Sequence, residues 1–291
     1  MGICKVMKLY NFLQNGVVDM ADEDKKKEKP LKNRVHLLDE LRGFAVFCMI
    51  FYHAFYTVGM IFHWEWGIKL LEFFMPAEPY FAGLFIFISG MVSNISKSNI
   101  ERGVKLAFVA MGVTLVTYFR EPEYIITFGV LHLLASCMIL YGLTEKYLRV
   151  IPMWLGMTLN IILFIVFYHT AQGRFRIPFL ISWEFPKEWY TTNFLFMFGF
   201  PNKEFVSSDY FPLVSWVFLF FTGGFFGRLI PSKKGQKYKL PQWTTKPHIP
   251  FLGFIGRHAL LFYIVHQPII YGICYGVQWA VSLFQHSESP Q

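Results

Sequence analysis

Apolar residues gather in seven long runs, at roughly 43–62, 71–95, 104–119, 124–144, 150–168, 209–230 and 251–284. Each is near the ~20 residues that carry a helix across a bilayer. The pattern predicts an all-α, polytopic transmembrane helical bundle of about seven or more spans. The last run is long enough to tilt, to kink at Pro268, or to include a short interfacial helix. Ahead of the first run, residues 1–34 end in ADEDKKKEKPLKNR, a solvated charge run. That segment is expected to be disordered or to lie on anionic lipid headgroups, with residues 35–286 as the membrane domain. A loop at about 169–208 carries Trp183, Trp189, Tyr190 and prolines, which predicts an ordered lid hugging the interface. No internal repeat is visible, which counts against an inverted-repeat transporter.

Charge fixes the expected orientation. With a cytoplasmic N-terminus, the inner segments hold 21 of the 27 Lys and Arg and the outer segments 6. Such an asymmetry is the positive-inside signal. The net charge of +8 therefore reports topology, and no nucleic-acid partner is expected. Composition agrees: 54% hydrophobic and 16% charged, against roughly 25% charged in soluble domains. The four cysteines (Cys4, Cys48, Cys137, Cys274) are scattered with no CxxC, so neither a disulfide scaffold nor a structural zinc site is expected. No metal is expected elsewhere, since no HExxH or His/carboxylate spacing occurs.

Ionisable groups inside apolar runs are costly and face the bundle interior, so each is a candidate for function. Arg42 and His53 lie eleven residues apart, about three turns, on one helix face and about 16 Å apart along the axis. That suits an anionic cytosolic ligand held at its phosphates, its reactive end delivered to a buried imidazole. The plainer alternative is an orientation charge and a packing histidine. Asp39, three residues before Arg42, is placed to hold it. His132 lies in FGVLHLL, His266 and Gln267 in LLFYIVHQPII, and Asp209 opens the sixth run. His63 and Glu65 sit in the outer turn FHWEW. At the inner edge Arg257, with Arg42 and Arg34, could form a cationic rim for phosphates or simply serve orientation.

The run RVHLLDELRGFAVFCMIFYH (Arg34–His53), then FIFISGMVSN, TFGVLHLL, SDYFPLVSW with GGFFG, and IGRHALLFYIVHQPII resemble the prokaryotic branch of the heparan-α-glucosaminide N-acetyltransferase catalytic-domain family. The blocks keep the family's order over about residues 34–275. Arg42-x10-His53 also resembles the Arg-x10-His motif of the broader membrane acyltransferase superfamily, where the Arg is associated with acyl-CoA and the His with catalysis. The resemblance implies a multi-pass protein of the prokaryotic plasma membrane, with an oligomer possible. It would move an acyl group, typically acetyl from cytosolic acetyl-CoA, to a sugar amine or hydroxyl. Lysosomal relatives place Asn where His53 stands and a catalytic His where His63 falls, so both positions are candidates. Those relatives carry a preceding luminal domain not seen here, so heparan sulfate is not inherited as the acceptor.

The chemistry needs a base or acyl carrier, an oxyanion donor and a cationic nucleotide site. These fall to His53 with His63 second; to His266, Gln267 and His132; and to Arg42, Arg257 and Arg34. Asp209, Gln267 and Glu65 are the acceptor-binding candidates. The rival reading is a non-enzymatic transporter or lipid-binding protein that uses the same buried groups.

Overall fold

The computed structural model describes residues 35–120, 122–177, 181–230 and 241–287. Residues 1–34, with Arg34 and the charge run, lie outside them, as do residues 231–240 of the basic loop. The chain is mostly helical: α1 (His36–Tyr56), α2 (Glu65–Phe74), α3 (Glu78–Ser93), α4 (Asn99–Arg120), α5 (Val130–Leu148), α6 (Met153–Phe167), α7 (Leu213–Phe226), α8 (Pro250–Arg257) and α9 (Ala259–Ser287). Among the described residues five helices are long and apolar enough to cross a membrane, His36–Ile61, Glu65–Ser93, Asn99–Arg120, Met153–Gln172 and Ala259–Leu283; Leu213–Leu229 is apolar but shorter. The 169–208 loop is ordered where described, as 3₁₀ turns and a hairpin of β1 (Arg174–Ile177) against antiparallel β2 (Ile181–Glu184).

The break in the last apolar run falls at His258, between α8 and α9, rather than at Pro268. His258 leaves helical geometry (φ −109°, ψ 26°), and its backbone N–H donates back to the Phe254 and Ile255 carbonyls. Pro268 sits inside α9, which continues through it although the Ile264 carbonyl loses its usual donor and faces the proline ring. α8 is the short helix that the length of the run allowed.

Without a hydrophobic force between helices in lipid, close packing depends on small residues. Two crossings show this. α8 lies on α1 at Gly43 and Gly256, where a methyl on either glycine would overlap the Leu252 or Asp39 carbonyl oxygen. α3 crosses α7 at Gly90 and Gly223 with the same backbone-to-backbone approach, to the Phe220 and Phe87 carbonyls. The main core forms between α3, α4, α5 and α7, around Ile86, Ala110, Leu133, Cys137 and Phe220, all fully buried. Two polar residues have structural work. Buried Glu40 accepts the His248 and Ile249 N–H groups (2.6 and 2.9 Å), fastening the start of α8 to α1. Arg228 donates to the Leu148 and Ile151 carbonyls (2.6 and 2.8 Å), capping the α5–α6 turn.

Gly256→Leu should lower the thermal unfolding midpoint in detergent through a loss of about 1–3 kcal/mol, because the added side chain is forced into α1. Gly272→Leu is the control: a methyl there meets no atom within 4 Å, so its midpoint should stay near native.

Candidate active site

Two stretches of extended backbone meet beside α1. Residues 125–130 and 206–211 pair through Ser208 N–H to the Ile125 carbonyl (3.0 Å) and Phe211 N–H to the Phe128 carbonyl (3.2 Å), with a parallel bridge at Phe128 and Tyr210. Non-helical backbone at membrane depth is tolerated only where protein covers it or it lines a cavity. Here it does both, and it delivers Asp209. The Asp209 carboxylate is buried; its Oδ2 accepts the Val130 N–H (3.1 Å) and the Tyr263 hydroxyl (2.9 Å). It lies against Gly129, where a Cβ would collide with that oxygen, so the glycine of FGVLH is what admits the carboxylate.

Three cavities surround this point, named inner to outer from the end that carries the start of α1. The inner one, about 260 Å³, is lined by Arg42, Arg102, Arg257, Ser89, Ser93 and Tyr263 among others. The middle one, about 250 Å³, holds His53, Tyr52, Glu78, Asp209 and again Tyr263. The outer one, about 360 Å³, is lined by Arg120, Tyr124, Gln267 and Tyr271 and shares His53 and Asp209 with the middle one. Tyr263 and Phe85 belong to both inner and middle walls. The cavities therefore run in series, with His53 and Asp209 on the wall between middle and outer.

The intramembrane histidines differ in what their nitrogens do. His132 Nδ1 accepts the Gly129 N–H (3.3 Å). Its Nε2 then carries the proton and donates to Thr114 Oγ1 (3.2 Å), which in turn donates to the Ile126 carbonyl (2.7 Å). Both of its nitrogens are engaged, holding the turn that carries Gly129. His266 is buried; its Nδ1–H donates to the Phe262 carbonyl (3.0 Å), and Nε2 is buried with no partner. Its ring lies 5.2 Å from that of His53, centroid to centroid. The His53 side chain makes no hydrogen bond among the described residues, and it faces two cavities. Gln267 accepts the Thr57 hydroxyl (3.2 Å) and lines the outer cavity.

The other expected site residues are spread out. Arg42 and Arg257 share the inner cavity. His63 and Glu65 are exposed at the turn after α1, outside the three cavities, with His63 at φ 55°. That is left-handed backbone uncommon for a residue with a Cβ, though His is among those enriched there. Arg34 lies outside the described residues. Sequence reasoning missed Glu78, Tyr52, Tyr263 and Arg102. Two signals were available: Glu78 sits between Pro76 and Pro79 within an apolar run, and Tyr263, His266 and Gln267 repeat at helical spacing on one face. Among the described residues no three His, Cys, Asp or Glu side chains gather as metal ligands.

Fold and cavities together define an integral-membrane helical protein with a polar chamber inside its bundle and arginines at one end. Residues 34–268 match the family described as heparan-alpha-glucosaminide N-acetyltransferase, catalytic, and the chain belongs to that family of membrane acyltransferases. No curated protein and no solved structure matches it.

The hydrogen-bond pattern separates a histidine that holds the fold from one whose ring holds nothing. His132→Ala should destabilise the protein by about 1–3 kcal/mol, because it strands the Gly129 N–H and a Thr114 acceptor. His53→Ala removes no hydrogen bond and should shift the unfolding midpoint less, which thermal unfolding of both variants would check.

Proposed function

We propose that the protein transfers an acetyl group from cytosolic acetyl-CoA to a sugar amine or hydroxyl arriving from the opposite face. The observation that carries this reading is the position of His53. It stands on the wall shared by a cavity that adjoins the arginine-lined one across Phe85 and Tyr263 and a cavity toward the other end. Arg42, Arg257 and Arg102 would pair with the CoA phosphates, with Arg34 a further candidate, and the thioester arm would pass Tyr263 to the middle cavity. As the acceptor nitrogen or oxygen attacks the thioester carbonyl, His53 takes its proton. The C–S bond then breaks, and the thiolate leaves and recovers a proton from the imidazolium. Oxyanion donation falls to the Tyr52 hydroxyl, since that of Tyr263 is spent on Asp209. His266 and Gln267 orient the reactants, while His132 supports Asp209 through Gly129.

The proposal includes a cytoplasmic N-terminus, seven spans with α5 and α7 added to the five long apolar helices, and residence in the cell membrane. Cysteines introduced at Glu184 and Lys97 test the topology: an impermeant thiol reagent should reach the first from outside and the second only from inside. The reverse pattern overturns both orientation and mechanism.

A row of cavities through a bundle also fits a transporter. Acetyl-CoA separates the two, since an acyltransferase binds and consumes it and a transporter ignores it. Arg42→Ala should weaken acetyl-CoA binding roughly ten- to a hundredfold, the equivalent of about 1.5–3 kcal/mol for charge-assisted hydrogen bonds. Unchanged affinity would reduce Arg42 to an orientation charge.

His53→Ala should keep acetyl-CoA binding and lose transfer by roughly 10²–10⁴-fold, while His63→Ala should lose much less. If His63 carries the acyl group instead, the order reverses, and labelled acetyl is trapped on the protein in His53→Ala but not in His63→Ala. Near-native transfer by both folded variants would sink the mechanism.

A further inference from the structure

The outer cavity differs from the other two in where it opens. Its walls are the C-terminal end of α4 (Val116, Thr117, Arg120) and the middle of α9 (Pro268, Tyr271, Gly272, Tyr275), with α1 behind. Val116 and Tyr275, which line it, are also 61% and 48% exposed. They belong to an apolar outer surface, with Leu115 and Phe119 on α4 and Ile269 and Ile273 on α9, of the kind that faces lipid. The cavity therefore opens sideways, into the bilayer, between two helices that pack elsewhere: α4 on α5, and α9 on α1. A Cβ at Gly272 would meet no atom, so the space beside α9 is empty where an alkyl chain would lie. One cation, Arg120, ends α4 at the mouth and makes no ion pair among the described residues.

We infer that this opening is a lateral portal for an amphipathic acceptor, a sugar or amine headgroup joined through an anionic phosphate to an alkyl or polyprenyl tail. The tail stays in the bilayer between α4 and α9, the phosphate pairs with Arg120, and the headgroup reaches inward to His53 and Asp209. A free, tail-less sugar would use neither the apolar walls nor the opening between the helices. The inference rests on the acetyl-transfer reading for what happens to the headgroup, but not for whether an anionic amphiphile binds. The two are tested separately.

Binding is read in phosphatidylcholine nanodiscs with a diazirine-bearing dodecyl phosphate as photolabel. Labelling should map to residues 113–126 and 268–275, fall about tenfold in Arg120→Gln, and fall in Gly272→Leu, whose side chain fills the space. Inorganic phosphate at equal concentration should not compete, and the matching diazirine-bearing dodecanol should label more weakly. Labelling elsewhere, competition by free phosphate, or equal labelling by the dodecanol would overturn the portal. Transfer is read with radiolabelled acetyl-CoA, comparing dodecylphosphoryl-glucosamine with glucosamine 1-phosphate. The tailed acceptor should have a kcat/KM at least about tenfold higher, and Arg120→Gln and Gly272→Leu should each shrink that preference. Equal values for the two acceptors overturn the assignment of the portal to the acceptor. If neither is acetylated, the acetyl-transfer reading fails, and the photolabel alone decides whether the portal takes an anionic amphiphile.

Discussion

A carboxylate taken out of water demands donors, and in a helical bundle few are free to answer. Asp209 finds two. The Val130 N–H is one of the first-turn donors that an α-helix leaves unsatisfied, at the positive end of the α5 dipole. The Tyr263 hydroxyl comes from α9. The same contact requires a glycine at 129, because any side chain there would occupy the carboxylate's place. One buried carboxyl group thus ties α5, the extended segment ahead of α7, and α9 into a common joint. Breaking one partner of such a group is expensive, because the other polar atoms are left buried without water to replace it. The joint sits on the wall between the middle and outer cavities, so what satisfies Asp209 also fixes the separation between the two halves of the site.

The glycine crossings explain why there are cavities around this joint at all. Where α1 meets α8 and α3 meets α7, backbones touch and no space is left. Helices pinned that tightly in one place must splay in another, and the gaps fall where α1 faces α3, α4 and α9. Those gaps carry Glu78, Arg102, Arg120 and the tyrosines, polar groups that lipid would not solvate and that a closed apolar core would not admit. Packing by small residues and cavities lined by polar ones are two results of one arrangement.

Much of this was legible from the sequence because membrane chemistry writes in long, redundant signals. Twenty-residue apolar runs gave the helices, and the block from Arg34 to His53 pointed to the family that residues 34–268 match. Local features were harder. For the last run a tilt, a kink at Pro268 and a short extra helix were all open, and what decides for an interruption at His258 is the packing of α8 on α1 through Glu40 and Gly256, which no local pattern reveals. His132 was read as chemistry because a buried histidine resembles a reactive one in sequence; only the geometry shows both nitrogens engaged. Glu78 was passed over because it lies within a run counted as apolar, and its place opposite Asp209 is a tertiary fact. Tyr263 was overlooked because a tyrosine in an aromatic-rich span carries no charge to draw notice.

Three histidines lie within the bundle, and the differences among them argue for a division of labour. A histidine with both nitrogens bound has nothing left to offer a substrate, which is the state of His132. His266 has one nitrogen committed to its own helix and one bare, buried and close to the His53 ring. A bare acceptor in such a place costs stability unless something meets it during turnover, and the nearest ring able to do so is that of His53. His53 itself is uncommitted and faces a cavity on either side. A group that takes a proton from one reactant and returns it to another needs a ring nitrogen that the reactants can reach. The least hydrogen-bonded of the three is therefore the one best suited to proton transfer. In the proposed reaction its position at the meeting of two cavities, rather than deep in either, would let two substrates from opposite sides reach it without sharing a route.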